Sequence, residues 1–347
     1  MILIVFHHFS IHQDFEIDND KISVNRLWIQ LLSIGGKISI NTYILISGYF
    51  LVQSKEVRIN NLIRLELQLM TYSILGYFIG VATNMETLEY QKFKQHIFPV
   101  TYNKWWFATP YVILYLLFPI INAAVHALNK VIYRNYLILL TMIWCVIPTL
   151  LLLEVLSYGT NELIWFAYLY VIGAYLRKYS VGENTKALPW IGIALAIYLL
   201  NFIFAILCDA FGLSYELLFD NVFEMTKIPV VLAAISLLIG FTKINISSRY
   251  INYVSATTFG IYLIHGDPYI SRLIWKNVYQ NYQYQNNNLL IPYSILSVIT
   301  IFILCSLIES LRISTIERFY MKYVDALSLK IDDFIKKMNN FKFIKKL

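Results

Sequence analysis

Ten stretches of this 347-residue chain are apolar, and most of them approach the length a helix needs to cross a bilayer. At 1.5 Å of rise per residue, about 20 residues span the roughly 30 Å hydrocarbon core. In lipid, no water is present to pair backbone N–H and C=O groups, so each span must satisfy its own as a helix. The expected spans lie near residues 1–13, 29–52, 62–83, 105–125, 136–155, 162–176, 189–208, 228–242, 256–275 and 289–311. Only 14% of residues are charged, against about 25% in soluble domains. The fold class that follows is all-α, a polytopic transmembrane bundle of about ten spans. No connecting segment is long enough to fold alone, so residues 1–312 read as one membrane domain and 313–347 as a basic amphipathic tail.

Charge orients the bundle. Segments 53–61, 126–135, 177–188 and 243–255, with Arg64 and the chain from Arg312 onward, hold 19 of the 28 Lys and Arg residues. The alternate segments are acidic or neutral, with Asp14, Glu16, Asp18, Asp20, Asp209, Glu216, Asp220 and Glu224. The positive-inside rule places the first set and both termini in the cytoplasm. The net charge of +7 is therefore a topology signal and, in the tail, an attraction to anionic lipid. It does not predict nucleic-acid binding. Cys145, Cys208 and Cys305 sit in apolar runs without metal or redox spacing and read as small buried hydrophobes. The histidines lack ligand spacing, so no metal site is expected.

The first span, "MILIVFHHFSIHQDF", has six residues ahead of its histidine pair. Some 13 residues cover only about 20 Å, from which a longer first helix starting upstream of Met1 is expected. His8 lies about 8 Å beneath the outer boundary, where burial favours a neutral, hydrogen-bonded ring. The second span carries Lys37, Ser39, Asn41, Thr42 and Ser47 among apolar residues. Lys37 lies at a depth comparable with His8, and it either snorkels outward or borders a polar cavity between the two helices. Gly35, Gly36 and Gly48 allow neighbouring helices to approach closely. The ninth span holds Tyr262, His265, Asp267 and Arg272; an Asp267–Arg272 ion pair and a catalytic role are equally open, and Pro268 breaks the helix.

Four stretches in order, "IVFHHF", "GKISINTYILISGYFL", "WWFATPYVILYLLFPIIN" and "TTFGIYLIHGDPYI", resemble the membrane-bound acyltransferase 3 family over positions 1–275. The resemblance is to bacterial enzymes that O-acetylate capsular, exopolysaccharide or other cell-surface sugars. It implies a multi-pass protein of the bacterial plasma membrane. The family's first span carries an arginine, ten intervening residues and the essential histidine. That histidine corresponds to His8, and the arginine would fall before Met1. Ser39 and Ile40 stand where the family usually has glycine and valine.

The resemblance implies transfer of an acetyl group from cytoplasmic acetyl-CoA to a glycan hydroxyl at or beyond the outer face. His8 would act as general base or as a transient acyl carrier. Asn41, Lys37 and Tyr262 are candidate donors to the developing oxyanion. Trp106, Tyr111, His265 and Ser47 are candidate substrate-binding residues, and Arg58 and Arg64 are candidates for the phosphates of the acyl-CoA. Partners would be the acyl-CoA donor, the glycan acceptor and the bilayer. A polysaccharide polymerase is the main rival, although the outer loops are short for one. A lipid-linked sugar exporter is the other, although no repeat symmetry is visible.

Overall fold

The computed structural model describes residues 1–12, 15, 22–151, 162–212 and 223–340, with side chains as far as residue 330. Asp14, Glu16, Asp18, Asp20, Glu216 and Asp220, expected in outer loops, lie outside the described residues. The described elements are helical throughout, with no strand among them. In chain order they are α1 Ile2–Ile11, α2 Val24–Leu51, α3 Ile59–Ala82, α4 Tyr90–Ile97, α5 Ala108–Ala127 and α6 Lys130–Leu150. There follow α7 Glu162–Lys178, α8 Ala187–Ala210, α9 Ile228–Thr242, α10 Arg249–His265, α11 Pro268–Arg272, α12 Leu290–Arg312 and α13 Arg318–Asn340. Each expected span overlaps a described helix, with 152–155 outside the described residues and 256–275 divided between α10 and α11. Six described helices (α2, α3, α5, α6, α8 and α12 with its continuation) are long and apolar enough to cross a membrane. α1 and α9 are apolar but shorter.

Helix starts follow ordinary capping chemistry. Ser23, Asn129 and Ser248 accept from the backbone N–H three residues on, at the starts of α2, α6 and α10. Asp267 does the same for α11, accepting from Tyr269 and Ile270 at 3.0 and 3.1 Å, with Pro268 at the first helical position. This capping takes the place of an Asp267–Arg272 ion pair. The acid is held by backbone donors, and Arg272 lies at the exposed surface.

The long helix α2 is the hub, packed by α1, α7, α8 and α9. Its approach to α1 and α7 depends on missing side chains. A Cβ on Gly36 would strike the His7 ring, one on Gly48 would strike the Tyr170 carbonyl, and one on Gly173 of α7 would strike the Leu45 carbonyl. Elsewhere α8 turns Leu195, Leu199, Ile203, Phe204 and Leu207 outward. An apolar outer face of that kind suits lipid.

Two buried polar knots tie the bundle. Arg26 meets Asp209 at 2.6 Å, and Gln30 donates to the other oxygen of that carboxylate at 2.8 Å, joining α2 to the end of α8. Glu309 of α12 accepts from Gln68 at 2.9 Å, from Tyr72, and from Arg312 through two nitrogens at 2.8 Å. Arg312 continues to Glu317 and Tyr320, and Glu317 to Arg64. With every partner hydrogen-bonded, a buried charge network is tolerated where a lone charge would not be.

Gly48→Ala and Gly173→Ala should each lower the thermal midpoint in detergent, by a cost of about 1–3 kcal/mol from overpacking. Gly192→Ala in α8, whose Cβ meets open space, should leave it unchanged or raise it slightly. Equal midpoints for all three would contradict the close crossing.

Candidate active site

The two adjacent histidines do different work, because successive residues on a helix point about 100° apart. His7 turns towards α2, donates from Nδ1 to the Ser33 carbonyl at 2.8 Å, and packs on Gly36. It is a structural residue. His8 turns the other way, into a small cavity of about 20 Å³, room for a single water. Around it stand Ile40 and Tyr43 of α2, Trp106 and Phe107 ahead of α5, and Phe259 and Tyr262 of α10. His8 is buried, and its Nδ1 has no hydrogen-bond partner among the described residues. The His265 and His12 rings lie 4.7 and 4.6 Å away, centroid to centroid, and Tyr262 lies at 6.5 Å.

The other expected site residues divide into three groups. Tyr262 and Trp106 line the cavity with His8. Lys37 sits beside it, 5.6 Å from the centre of the Trp106 ring and 3.6 Å from the Glu224 carboxylate, so this cation is held by a face and an acid and does not simply snorkel. His265 is fully shielded and lies behind His8, outside the cavity lining.

Asn41, Ser47 and Tyr111 form the second group. Asn41 is fully buried and hydrogen-bonded on both sides, donating to the Met225 carbonyl at 2.7 Å and accepting from Trp165 at 3.2 Å. Its amide fastens α7 and the segment before α9 to α2. Ser47 and Tyr111 share a contact of 3.3 Å, and Tyr111 stacks on Phe107. Ser47 lies four residues beyond Tyr43 on the same face of α2, so the pair forms the layer beneath the cavity.

Arg58 and Arg64 belong to a separate, open cleft of about 1190 Å³ between the α2–α3 turn and α13. Lys55, Asn60, Asn61, Asp325 and Ser328 also border it. Asn60 donates to Asp325 at 2.8 Å, which closes one edge. Arg58 precedes α3, whose first turn has no side-chain cap. Its free N–H groups and the positive end of the helix dipole therefore add to the three cations. From the cleft at Gln53 to Tyr43 and Ile40 is ten to thirteen residues along α2, roughly 15–20 Å.

A family model described as an acyltransferase domain matches residues 1–309. The chain belongs to the acyltransferase 3 family. No curated protein and no solved structure matches it. As an acyltransferase with several apolar helices it is a multi-pass membrane protein, and the polymerase and exporter readings give way to acyl transfer. The match stops near Glu309, so α13, one wall of the lower cleft, lies beyond the matched residues.

Sequence reasoning missed Tyr43, Phe107, Phe259 and Glu224 in this acyltransferase. Tyr43 was legible in principle: Lys37, Ile40, Tyr43 and Ser47 recur at helical spacing on one face. Among 27 tyrosines, nothing else marked it.

Asn41→Ala should lower the thermal midpoint by the equivalent of about 1–3 kcal/mol, because the Met225 carbonyl and the Trp165 N–H lose their partner. Tyr262→Phe should keep the midpoint and slow acyl transfer by about 10²-fold if its hydroxyl donates to the acyl oxygen. A full rate in Tyr262→Phe would remove that donor.

Proposed function

We propose that the chain is an integral-membrane O-acyltransferase that moves an acetyl group from cytoplasmic acetyl-CoA to a hydroxyl of a cell-surface or exported polysaccharide. The reading includes ten spans, both termini in the cytoplasm, and residence in the bacterial plasma membrane. The observation that carries it is a buried imidazole, His8, with an unpaired ring nitrogen, facing a cavity walled by Tyr43, Trp106 and Tyr262.

A hydroxyl attacks a thioester poorly unless a base takes its proton as the new bond forms. On this reading His8 takes that proton, the hydroxyl oxygen bonds to the acyl carbon, and the C–S bond breaks with its electron pair leaving on sulfur. The imidazolium then returns the proton to the thiolate. In the covalent variant, the His8 nitrogen attacks first, and an acyl-imidazole passes the group to the hydroxyl. Tyr262 and Lys37 stand at or beside the cavity and are suited to donate to the oxyanion, while the aromatic walls exclude water that would hydrolyse the thioester.

The lower cleft suits the phosphate-bearing end of the donor. Lys55 and Arg58 have no ion pair among the described residues, and they converge with Arg64 on the uncapped end of α3. The distance along α2 from this cleft to the cavity fits an extended pantetheine arm.

The decisive comparison is glycan O-acetyl content by NMR in cells carrying the gene, a deletion, or His8→Ala. Deletion and His8→Ala should both abolish it; unchanged acetylation on deletion would refute the reading. In reconstituted protein, Lys55→Gln with Arg58→Gln should raise the KM for acetyl-CoA roughly tenfold, equivalent to about 1.4 kcal/mol, with kcat held. An unchanged KM would place the phosphates elsewhere.

A further inference from the structure

His265 was expected to touch substrate, yet it is fully shielded and takes no part in the cavity lining. Its hydrogen bonding defines what it offers. Its Nδ1 lies 2.5 Å from the Ile261 carbonyl oxygen. A carbonyl only accepts, so Nδ1 carries the hydrogen and Nε2 of the neutral ring is a bare lone pair. That Nε2 is buried with no partner among the described residues. His8 presents the mirror case on a ring 4.7 Å away: its Nδ1 is buried and unpaired. Because the His8 ring lines the cavity with Nδ1 buried, Nε2 is left as the nitrogen that faces the cavity.

We infer that His265 is a positioning residue for His8: its Nε2 accepts the His8 Nδ1 proton and so leaves the His8 Nε2 lone pair facing the acceptor hydroxyl. This rests on the proposed role of His8. The opposite tautomer would set two buried lone pairs against each other and turn a hydrogen towards the hydroxyl that needs a base. Buried polar atoms without partners are rare in folded proteins, and a hydrogen bond between these two, on rings 4.7 Å apart, would satisfy both.

The surroundings make this contact matter. Among the described residues, the groups bearing on His8 are His7 of α1, His12 just beyond it, Lys37 of α2, and His265 of α10, with Tyr262 across the cavity. None is a carboxylate. When His8 takes the hydroxyl proton, the positive charge formed on its ring has His265 as its neighbouring acceptor. A neutral imidazole here fills the orienting place that a carboxylate holds in a Ser-His-Asp triad. No net proton is gained or lost: the proton taken at His8 Nε2 leaves with the thiolate, and the Nδ1 proton stays shared between the two rings.

The test uses the full chain in lipid nanodiscs, with acetyl-CoA as donor. His265→Leu should lower kcat about 10²-fold with the KM for acetyl-CoA within twofold. His265→Gln, which restores an acceptor, should recover at least tenfold of that loss. A kcat within threefold of wild type for His265→Leu, or equal losses in both variants, overturns the inference. Solid-state NMR of the wild-type chain with 15N-labelled histidine, His8 being assigned from His8→Gln, reads the tautomer directly. The Nδ1–H form is expected, and a predominant Nε2–H form overturns the inference whether or not the variants fold. Should the wild-type chain show the Nδ1–H form yet transfer no acetyl group, the functional reading fails while the positioning contact stands.

Discussion

The approach of α2 to α1 and α7 underlies the rest of the structure. Within lipid, apolar side chains gain little by leaving one apolar environment for another, so helices associate through close van der Waals contact and polar pairing. Gly36 supplies that contact against His7, and Gly48 and Gly173 supply it across the α2–α7 crossing. Once α1 is pressed onto α2 through His7, the 100° turn to the next residue leaves His8 pointing at α10 and the aromatic cluster. The packing of one histidine thus aims the other.

Polar groups in the bundle fall into two kinds. Those of the Arg26–Asp209–Gln30 knot and the Glu309–Arg312 network are paired and join helices. Asn41 belongs with them, hydrogen-bonded on both sides. His8 and His265 each keep one buried ring nitrogen without a partner among the described residues, on rings whose centroids lie 4.7 Å apart beside the cavity.

α13 gives the second site its form. It is tied back to α3 by Asn60–Asp325 and, through Glu317, by Arg64. The tail that reads in sequence as a lipid-seeking amphipathic helix is also the wall of a basic cleft.

The apolar runs alone determined that this chain is helical and membrane-embedded, because the period and length of hydrophobicity are local properties of the chain. They also located the helices, the glycines of α2 and the histidine of interest. Tertiary structure decided the contacts. Whether Asn41 clamps or catalyses, whether Asp267 meets Arg272 or caps a helix, and whether His265 touches substrate or His8 all depend on which residues from distant segments share a few ångströms. Spacing within one helix encodes which face a residue occupies, but what that face meets is set by packing among helices far apart in sequence.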